Sequence, residues 1–425
     1  MEFNTICVFG LGYIGLPTAS TFATHGLHVT GVDVNSRVVH TLRNGGLHIH
    51  EPGLRTLVQA ALGSGNLVIS EQAQPADAFI IAVPTPFYGD KQADMRAVIA
   101  AAEAIVPHLR PGNLVVLEST SPPRTTVDVV APILARSGLN PGVDFYLAYS
   151  PERVLPGQIL RELIENARVI GGLNRASAEA GRDLYAVFVR GEIILTDATT
   201  AEMVKLMENT YRDVNIAVAN EFARLADRLG VDVWEAIGLA NRHPRVNILR
   251  PGPGVGGHCI SVDPWFLVEA ASDLTPLIRA AREVNDGQPQ FVVELVRRVA
   301  GQLNGCRIAA LGLAYKPDVD DLRESPAIEI VRLLGEAGAR VLAYEPYKPD
   351  ANIPGITCVT SLQEALQDAD LALLLVGHTA LKDVQPAQAA TLMHGRLVVD
   401  VVNAWHSEAW AKAGFQLHRL GVGVL

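Results

Sequence analysis

The stretch that most restricts the fold is residues 5–33. Thr5–Phe9 is a short β-rich run that leads directly into Gly10-Leu-Gly12-Tyr13-Ile14-Gly15, and residues 16–25 continue as a helix with Pro17 in its first turn. The first of these glycines permits a tight turn out of the strand, the second lets a pyrophosphate approach bare backbone, and the third lets helix and strand pack closely. The helix start then offers unpaired N–H groups and the positive end of its dipole. The next run, His28–Val32, reads as a second strand ending at Asp33, where a carboxylate binds the adenosine ribose hydroxyls and repels the extra phosphate of NADP. A chance glycine turn lacks that surrounding order. NAD is therefore the expected cofactor, with Gly10, Gly12, Tyr13, Ile14, Gly15 and Asp33 at its site.

Further strands are expected at 78–83, 114–118 and 145–149. The first two end in Pro84-Thr85-Pro86 and Ser119-Thr120-Ser121-Pro122. Ligands of an open parallel sheet lie beyond the carboxyl ends of its strands, which places Thr85 and Thr120 at the cofactor cleft. Capping of the helices that follow is the alternative, Thr120 especially, and the two roles are compatible. The third strand delivers Ser150-Pro-Glu152-Arg153-Val154-Leu-Pro156-Gly157, a Pro-bounded segment carrying both signs of charge and so a site candidate rather than a core element.

With 425 residues, 49% hydrophobic and 19% charged, the composition fits a soluble globular chain of two or three domains. A net charge of −10 argues against nucleic-acid or anionic-membrane partners, while leaving room for a local basic pocket that takes an anionic small molecule. The four cysteines, Cys7, Cys259, Cys306 and Cys358, form no CxxC pair. A reducing compartment and no metal are the expectation, with Cys7, Cys306 and Cys358 in strands. Residues 1–16 have no basic signal-like region and no uncharged apolar stretch reaches spanning length, so the expected location is cytoplasmic.

In the middle of the chain Thr199-Thr-Ala-Glu202 reads as a capping box, and helix-forming sequence then runs to Gly230. At ~1.5 Å per residue this is a connecting rod of about 45 Å. Lys205, Asn209 and Arg212 share one of its faces. A solvated polar face is the ordinary explanation, but asparagine is a poor helix-interior residue, so its place between two cations points to a ligand. Val214, Val218, Phe222, Leu225 and Leu229 form an apolar stripe to be covered within this chain or across a homodimer, and a homodimer is expected. Beyond the helix, His243 and Arg245 lie in the loop that leads to Gly252-Pro-Gly-Val-Gly-Gly-His258-Cys259-Ile-Ser-Val-Asp263-Pro-Trp265. A packing cysteine usually sits in an apolar strand, whereas Cys259 follows a glycine-rich loop and a histidine and precedes an acid, the context of a nucleophile. Cationic neighbours and a helix beginning at Pro264 would favour its thiolate. A buried cysteine after a tight turn, with Asp263-Pro264 only a helix start, is the competing explanation. His258 is given no base role, because sequence neighbours often point apart.

A second strand–glycine–helix pattern starts at 306–311, with further strands at Arg340–Tyr344, 371–376 and 397–402. Its first loop, from Gly312 through Tyr315, Lys316, Asp321, Arg323 and Ser325-Pro326, lacks the paired glycines of a dinucleotide fingerprint. Lys316 and Arg323 suggest an anion clamp instead, with salt bridging to Asp318, Asp320 and Asp321 as the alternative. The fold class expected is α/β, with two Rossmann-like α/β domains joined by a central helical domain containing one long connecting helix. The expected boundaries are 1–195, 196–300 and 301–425.

Taken in order along the whole chain, the fingerprint, Ser150-Pro-Glu-Arg-Val-Leu-Pro-Gly157, Lys205-x-x-x-Asn209, Gly256-Gly-His-Cys259-x-x-x-Asp263 and Lys316 with Asp321-x-Arg323-x-Ser325-Pro326 resemble the UDP-glucose/GDP-mannose dehydrogenase family. The resemblance implies a four-electron oxidation of a nucleotide sugar's C6 alcohol to a carboxylate, consuming two NAD+ and one water. It implies that Cys259 is the nucleophile, that Lys205 and Asn209 stabilise oxyanions at C6, with Lys205 also an acid/base, and that Asp263 helps activate the hydrolytic water. Arg153, Val154, Lys205, Asn209, Arg212, His243, Arg245, Tyr315 and Lys316 are carried over as UDP-sugar contacts, and Arg323 as a residue at the cofactor or its junction with substrate. The cysteine loop looks most like that of members acting on UDP-N-acetyl-D-mannosamine for surface polysaccharides. Members specific for UDP-glucose carry a second glutamate where this chain has Pro156 and a lysine where it has Val262; neither departure excludes UDP-N-acetylglucosamine. A two-electron β-hydroxyacid dehydrogenase, which needs neither Cys259 nor a third domain, and a non-catalytic NAD-binding module are the alternatives.

Overall fold

The computed structural model describes residues 3–89, 91–155, 157–257 and 259–423; Pro156 and His258 lie outside the described residues. Two compact units are present, Met1–Glu208 with Trp265–Ser272, and Asn209–Pro264 with Asp273–Leu425.

In the first unit, β1 (Thr5–Phe9), β2 (His28–Val32), β3 (Leu67–Ser70), β4 (Ala78–Ile81), β5 (Leu114–Leu117), β6 (Tyr146–Tyr149), β7 (Arg168–Gly172) and β8 (Ile193–Asp197) form one sheet. Their order is β3-β2-β1-β4-β5-β6-β7-β8. Neighbours run parallel except β6 and β7, which pair antiparallel. The central strands read as unbroken apolar runs because both faces are covered: β1 sends Ile6 and Val8 into one core and Cys7 and Phe9 into the other. The order reverses between β1 and β4, which sets the ligand crevice at the carboxyl end of β1.

The second unit repeats this scheme with β9 (Arg307–Leu311), β10 (Arg340–Tyr344), β11 (Thr357–Val359), β12 (Leu371–Leu374), β13 (Leu397–Asp400) and β14 (Gln416–Arg419) in the order β11-β10-β9-β12-β13-β14. All its neighbouring pairs are parallel. Ile308 and Ala310 of β9 enter one core, Ala309 and Leu311 the other. Cys7 and Cys358 are strand residues as expected, and Cys306 immediately precedes β9.

Four helices bear on the site: α1 (Gly15–Thr24), α2 (Ala198–Leu229), α3 (Asp263–Ala270) and α4 (Pro276–Asp286). At 32 residues α2 is the long helix foreseen in the sequence, but its start is built differently. Strand β8 runs straight into it, and Asp197 accepts hydrogen bonds from the Thr200 amide at 2.9 Å and the Thr200 hydroxyl at 2.6 Å. Glu202, read as the reciprocal member of a capping box, is buried and turned elsewhere. Its carboxylate accepts from the amides of Arg124 and Thr126 and from the Thr126 hydroxyl at 2.5, 2.7 and 2.6 Å, supplying partners to the start of the helical segment Thr125–Val130. Thr120 does not cap that segment either, since the segment begins five residues later.

Candidate active site

The fingerprint loop is shaped by close backbone approach. Gly10 adopts φ +88°, and a Cβ at Gly15 would stand 1.8 Å from the Gly10 carbonyl, so neither position admits a side chain. Gly12 differs: a Cβ there would meet nothing within 4 Å, leaving bare backbone beside the start of α1. Ile14, ahead of α1, makes no side-chain cap; Leu16 donates to the Gly12 carbonyl at 3.2 Å and Pro17 has no N–H, so it is the positive end of the helix dipole beside bare glycine backbone that suits an anion here. Asp33 Oδ2 accepts from the Leu11 amide at 2.9 Å and Oδ1 from the Asn35 amide at 2.8 Å, which fixes the carboxylate at the end of β2. This cradle fits a dinucleotide pyrophosphate and ribose. Thr85 and Thr120 meet directly, the Thr85 hydroxyl donating to the Thr120 carbonyl at 2.6 Å beyond the ends of β4 and β5.

The segment after β6 is held from beneath by charges that the sequence did not disclose. Arg168, at the start of β7 and 4% exposed, donates to Ser150 Oγ at 3.0 Å, to Glu152 Oε2 in a short contact, and to Glu118 Oε1 at 3.4 Å. Tyr185 donates to the same Glu118 oxygen at 2.5 Å. Burial pushes the Glu118 carboxyl up to about 7, with Arg168 pulling the other way. Glu152 thus faces Arg168, while its backbone carbonyl accepts from Lys205 Nζ at 3.0 Å. Arg153 is paired with Glu208 at 2.8 Å and donates to the Ala167 carbonyl, and Val154 packs on the sheet core.

In the second unit Asn209 Nδ2 donates to Asp263 Oδ2 at 2.5 Å. Asp263 is 2% exposed and opens α3, and its amide and that of Val262 return to the Cys259 carbonyl at 2.8 and 3.1 Å. The turn thereby closes around the cysteine, and Cys259 is exposed and in no disulfide. A buried packing cysteine is not what this loop carries. Glycines again allow the approach: Cβ atoms on Gly256 and Gly257 would lie 2.9 and 2.8 Å from the Tyr315 side chain, and the Gly257 amide donates to the Arg323 carbonyl at 3.2 Å. Loop 312–325 therefore packs on the cysteine loop. Lys316 Nζ lies 5.6 Å from the Tyr315 ring centroid. Arg323 forms a bidentate pair with Asp321, its Nη2 at 2.6 Å, so the salt-bridge alternative holds for it in this conformation. Arg212 on α2 is exposed, as are His243 and Arg245 in the loop that leads to Cys259.

The second sheet's first loop has a different electrostatic fate from the first's. Glu345, buried at the end of β10, accepts from the amides of Leu313 and Ala314 at 2.7 and 2.9 Å and contacts His378 Nε2 at 3.1 Å. Its amides are satisfied internally, which agrees with the missing glycine fingerprint. Among the described residues no cluster of His, Cys, Asp and Glu is placed to hold a metal ion, and no helix is long and apolar enough to cross a membrane.

Family models of the UDP-glucose/GDP-mannose dehydrogenases match the chain three times: the NAD binding domain over residues 4–189, the central domain over 199–287 and the UDP binding domain over 309–407. The chain is 47% identical over 431 residues to UDP-N-acetyl-D-mannosamine dehydrogenase of Methanococcus maripaludis, covering 99% of this chain and 98% of that one. It is 48% identical to NDP-N-acetyl-D-galactosaminuronic acid dehydrogenase of Ralstonia solanacearum, covering 97% and 98%. Among solved structures, UDP-D-ManNAc dehydrogenase from Pyrococcus horikoshii superposes with a TM-score of 0.92 at 40% identity, covering 99% of this chain and all of that one.

Removing the cation beneath Glu152 leaves two carboxylates buried without a countercharge. R168M is therefore expected to lower unfolding stability by about 3–5 kcal/mol in urea titrations, and unchanged stability would contradict the charge assignment.

Proposed function

The chain belongs to the UDP-glucose/GDP-mannose dehydrogenase family, and from that premise we propose that it oxidises C6 of UDP-N-acetyl-D-mannosamine to the carboxylate. The observation that carries the reading is an exposed, reduced Cys259 set in the turn that Asp263 closes, with Asn209 bonded to that acid. Relatives of near-equal length bearing that substrate in their names support the choice of sugar. We assign 1–195 to NAD binding, 196–300 to the catalytic helical domain and 301–425 to UDP-sugar binding. A cytoplasmic location is supported by four cysteines none of which is in a disulfide.

The alcohol first loses a hydride and a proton to give the aldehyde. NAD+, when bound, supplies the hydride acceptor for each of the two oxidations. Cys259 sulfur then bonds to C6, and the former carbonyl oxygen takes the proton, giving a thiohemiacetal. Loss of a second hydride and proton leaves a thioester on Cys259, and water attack breaks the C–S bond to release the acid and restore the thiol. The ammonium of Lys205 and the carboxamide of Asn209 stabilise the oxyanions, and Lys205 exchanges the proton at the C6 oxygen. Asp263 orients and activates the water. Arg153, Val154, Arg212, His243, Arg245, Tyr315 and Lys316 bind the nucleotide sugar, and Arg323 lies at the cofactor or its junction with substrate. The product enters surface polysaccharide synthesis.

A panel of UDP-N-acetylmannosamine, UDP-N-acetylglucosamine, UDP-N-acetylgalactosamine, UDP-glucose and GDP-mannose, followed by NADH absorbance and product mass, tests the reading. The mannosamine sugar is expected to give the highest kcat/KM, with about two NADH per sugar consumed. One NADH per sugar would return the chain to two-electron chemistry, and a different preferred sugar would reassign the substrate.

The same reading includes a homodimer built on α2. Its support is that Val218, Phe222, Leu225 and Leu229 are 40–66% exposed along one face of the helix, an apolar strip that water does not favour. Light scattering is expected to give twice the chain mass, and a monomer at micromolar concentration would contradict it.

A further inference from the structure

A chain of buried polar groups in the second unit ends on the loop that carries Cys259. Arg282 on α4 donates to Asp213 Oδ1 at 2.5 Å. Asn285, one turn along α4, donates through Nδ2 to the same oxygen at 2.8 Å and to the Asp213 carbonyl at 3.0 Å. Asn220 Nδ2 donates to Asn285 Oδ1 at 2.9 Å, and the Gly252 amide donates to Asn220 Oδ1 at 2.9 Å. Asp213, Asn220, Arg282 and Asn285 are all at most 1% exposed.

The orientation of every carboxamide in this chain is dictated by its neighbours. Asn285 cannot turn over, because its oxygen would then face the Asp213 carboxylate. With Asn285 fixed, Asn220 must present its oxygen outward, and the position that receives it is the first amide of the glycine-rich loop. The buried ion pair thus sets a single acceptor for Gly252. The other end of the loop is held by the same helix, since Asn209 bonds Asp263. Asn209, Asp213 and Asn220 follow at i, i+4 and i+11, one face of α2.

We propose that Asn220 is a positioning residue for the reaction: with Asn209 it pins both ends of the 252–263 loop to one helix face, and so fixes where the Cys259 sulfur stands. This rests on the reading of Cys259 as nucleophile. Asn220 touches neither substrate nor cofactor in that reading, and acts only through the loop.

Two variants separate this from a packing role. In N220D the protonated carboxyl reproduces the carboxamide, its hydroxyl donating to Asn285 and its carbonyl accepting from Gly252, whereas the carboxylate faces Asn285 Oδ1 with Asp213, Arg282 and its second partner Asp286 behind it, and with Arg224, which donates to the Val284 carbonyl at 2.7 Å, one turn on along α2. At pH 8 kcat is expected to fall about 10- to 100-fold while KM for the UDP-sugar changes less than about threefold, with recovery as the pH is lowered toward about 6 relative to the native enzyme. G252P removes the donor from the loop side and sets the ring Cδ where the N–H pointed, displacing the loop from Asn220 Oδ1 while Asn220, Asn285, Asp213 and Arg282 keep their own side chains, and it is expected to give the same loss without recovery. The rate of iodoacetamide alkylation of Cys259 reports loop position independently of turnover, and is expected to change in both variants. Unchanged kcat and unchanged alkylation in folded N220D and G252P would overturn the proposal. Altered alkylation with kcat intact would uphold the anchor and overturn instead the role given to Cys259.

Discussion

One uninterrupted helical ladder sets the spacing on which the candidate site depends. Asn209, Asp213 and Asn220 belong to α2, so their separations follow from ~1.5 Å per residue and vary little while the helix is intact. A loop rich in glycine has no such ruler of its own. The structure supplies one by attaching the beginning of the loop to Asn220 and its end to Asn209. Flexible backbone is used where Gly256 and Gly257 must pass close to Tyr315, and the entropy that flexibility would cost is limited by two fixed ends.

The two sheets show how one topology takes different ligands. The first six strands of the larger sheet have the order of the smaller one, and both sheets carry an acid just past the end of the second strand, Asp33 in one and Glu345 in the other. Asp33 bonds a single amide of its glycine loop and leaves the start of α1 to a ligand. Glu345, longer by a methylene, reaches two loop amides and His378 and closes the corresponding position from within. The presence or absence of the glycine pair is therefore matched by where the nearby carboxylate places its lone pairs.

Much of this was legible in the sequence, for physical reasons. Strands covered on both faces give continuous apolar runs, which is why β1, β2, β4, β5, β6, β9, β10, β12 and β13 could be placed within two residues or so. Strands β3, β7, β8, β11 and β14 are not legible in the same way: β7 contains Arg168 and two glycines, and β8 ends in Thr-Asp, so their apolar runs are only two and three residues long. Asn209 stands out in the sequence as a poor helix former between two cations, whereas the same property of Asn220 acquires meaning only from the Gly252 amide that the fold places against it. Glu202 has local spacing that favours a capping box, yet three donors from a segment 76 residues distant outcompete the local bond. The charges beneath Glu152 were invisible for a related reason, since a buried arginine is identified by partners that only tertiary structure brings together.

The central claim is that C6 of the sugar is carried on the Cys259 sulfur between two oxidations. Rapid-quench intact-mass analysis of D263N mixed with UDP-sugar and NAD+ tests it most directly, because slowing hydrolysis leaves the acyl group on the protein. The account predicts a sugar-nucleotide adduct that maps to Cys259 and forms with a burst of about two NADH per site. Release of two NADH per site with no covalent adduct at any time would contradict it.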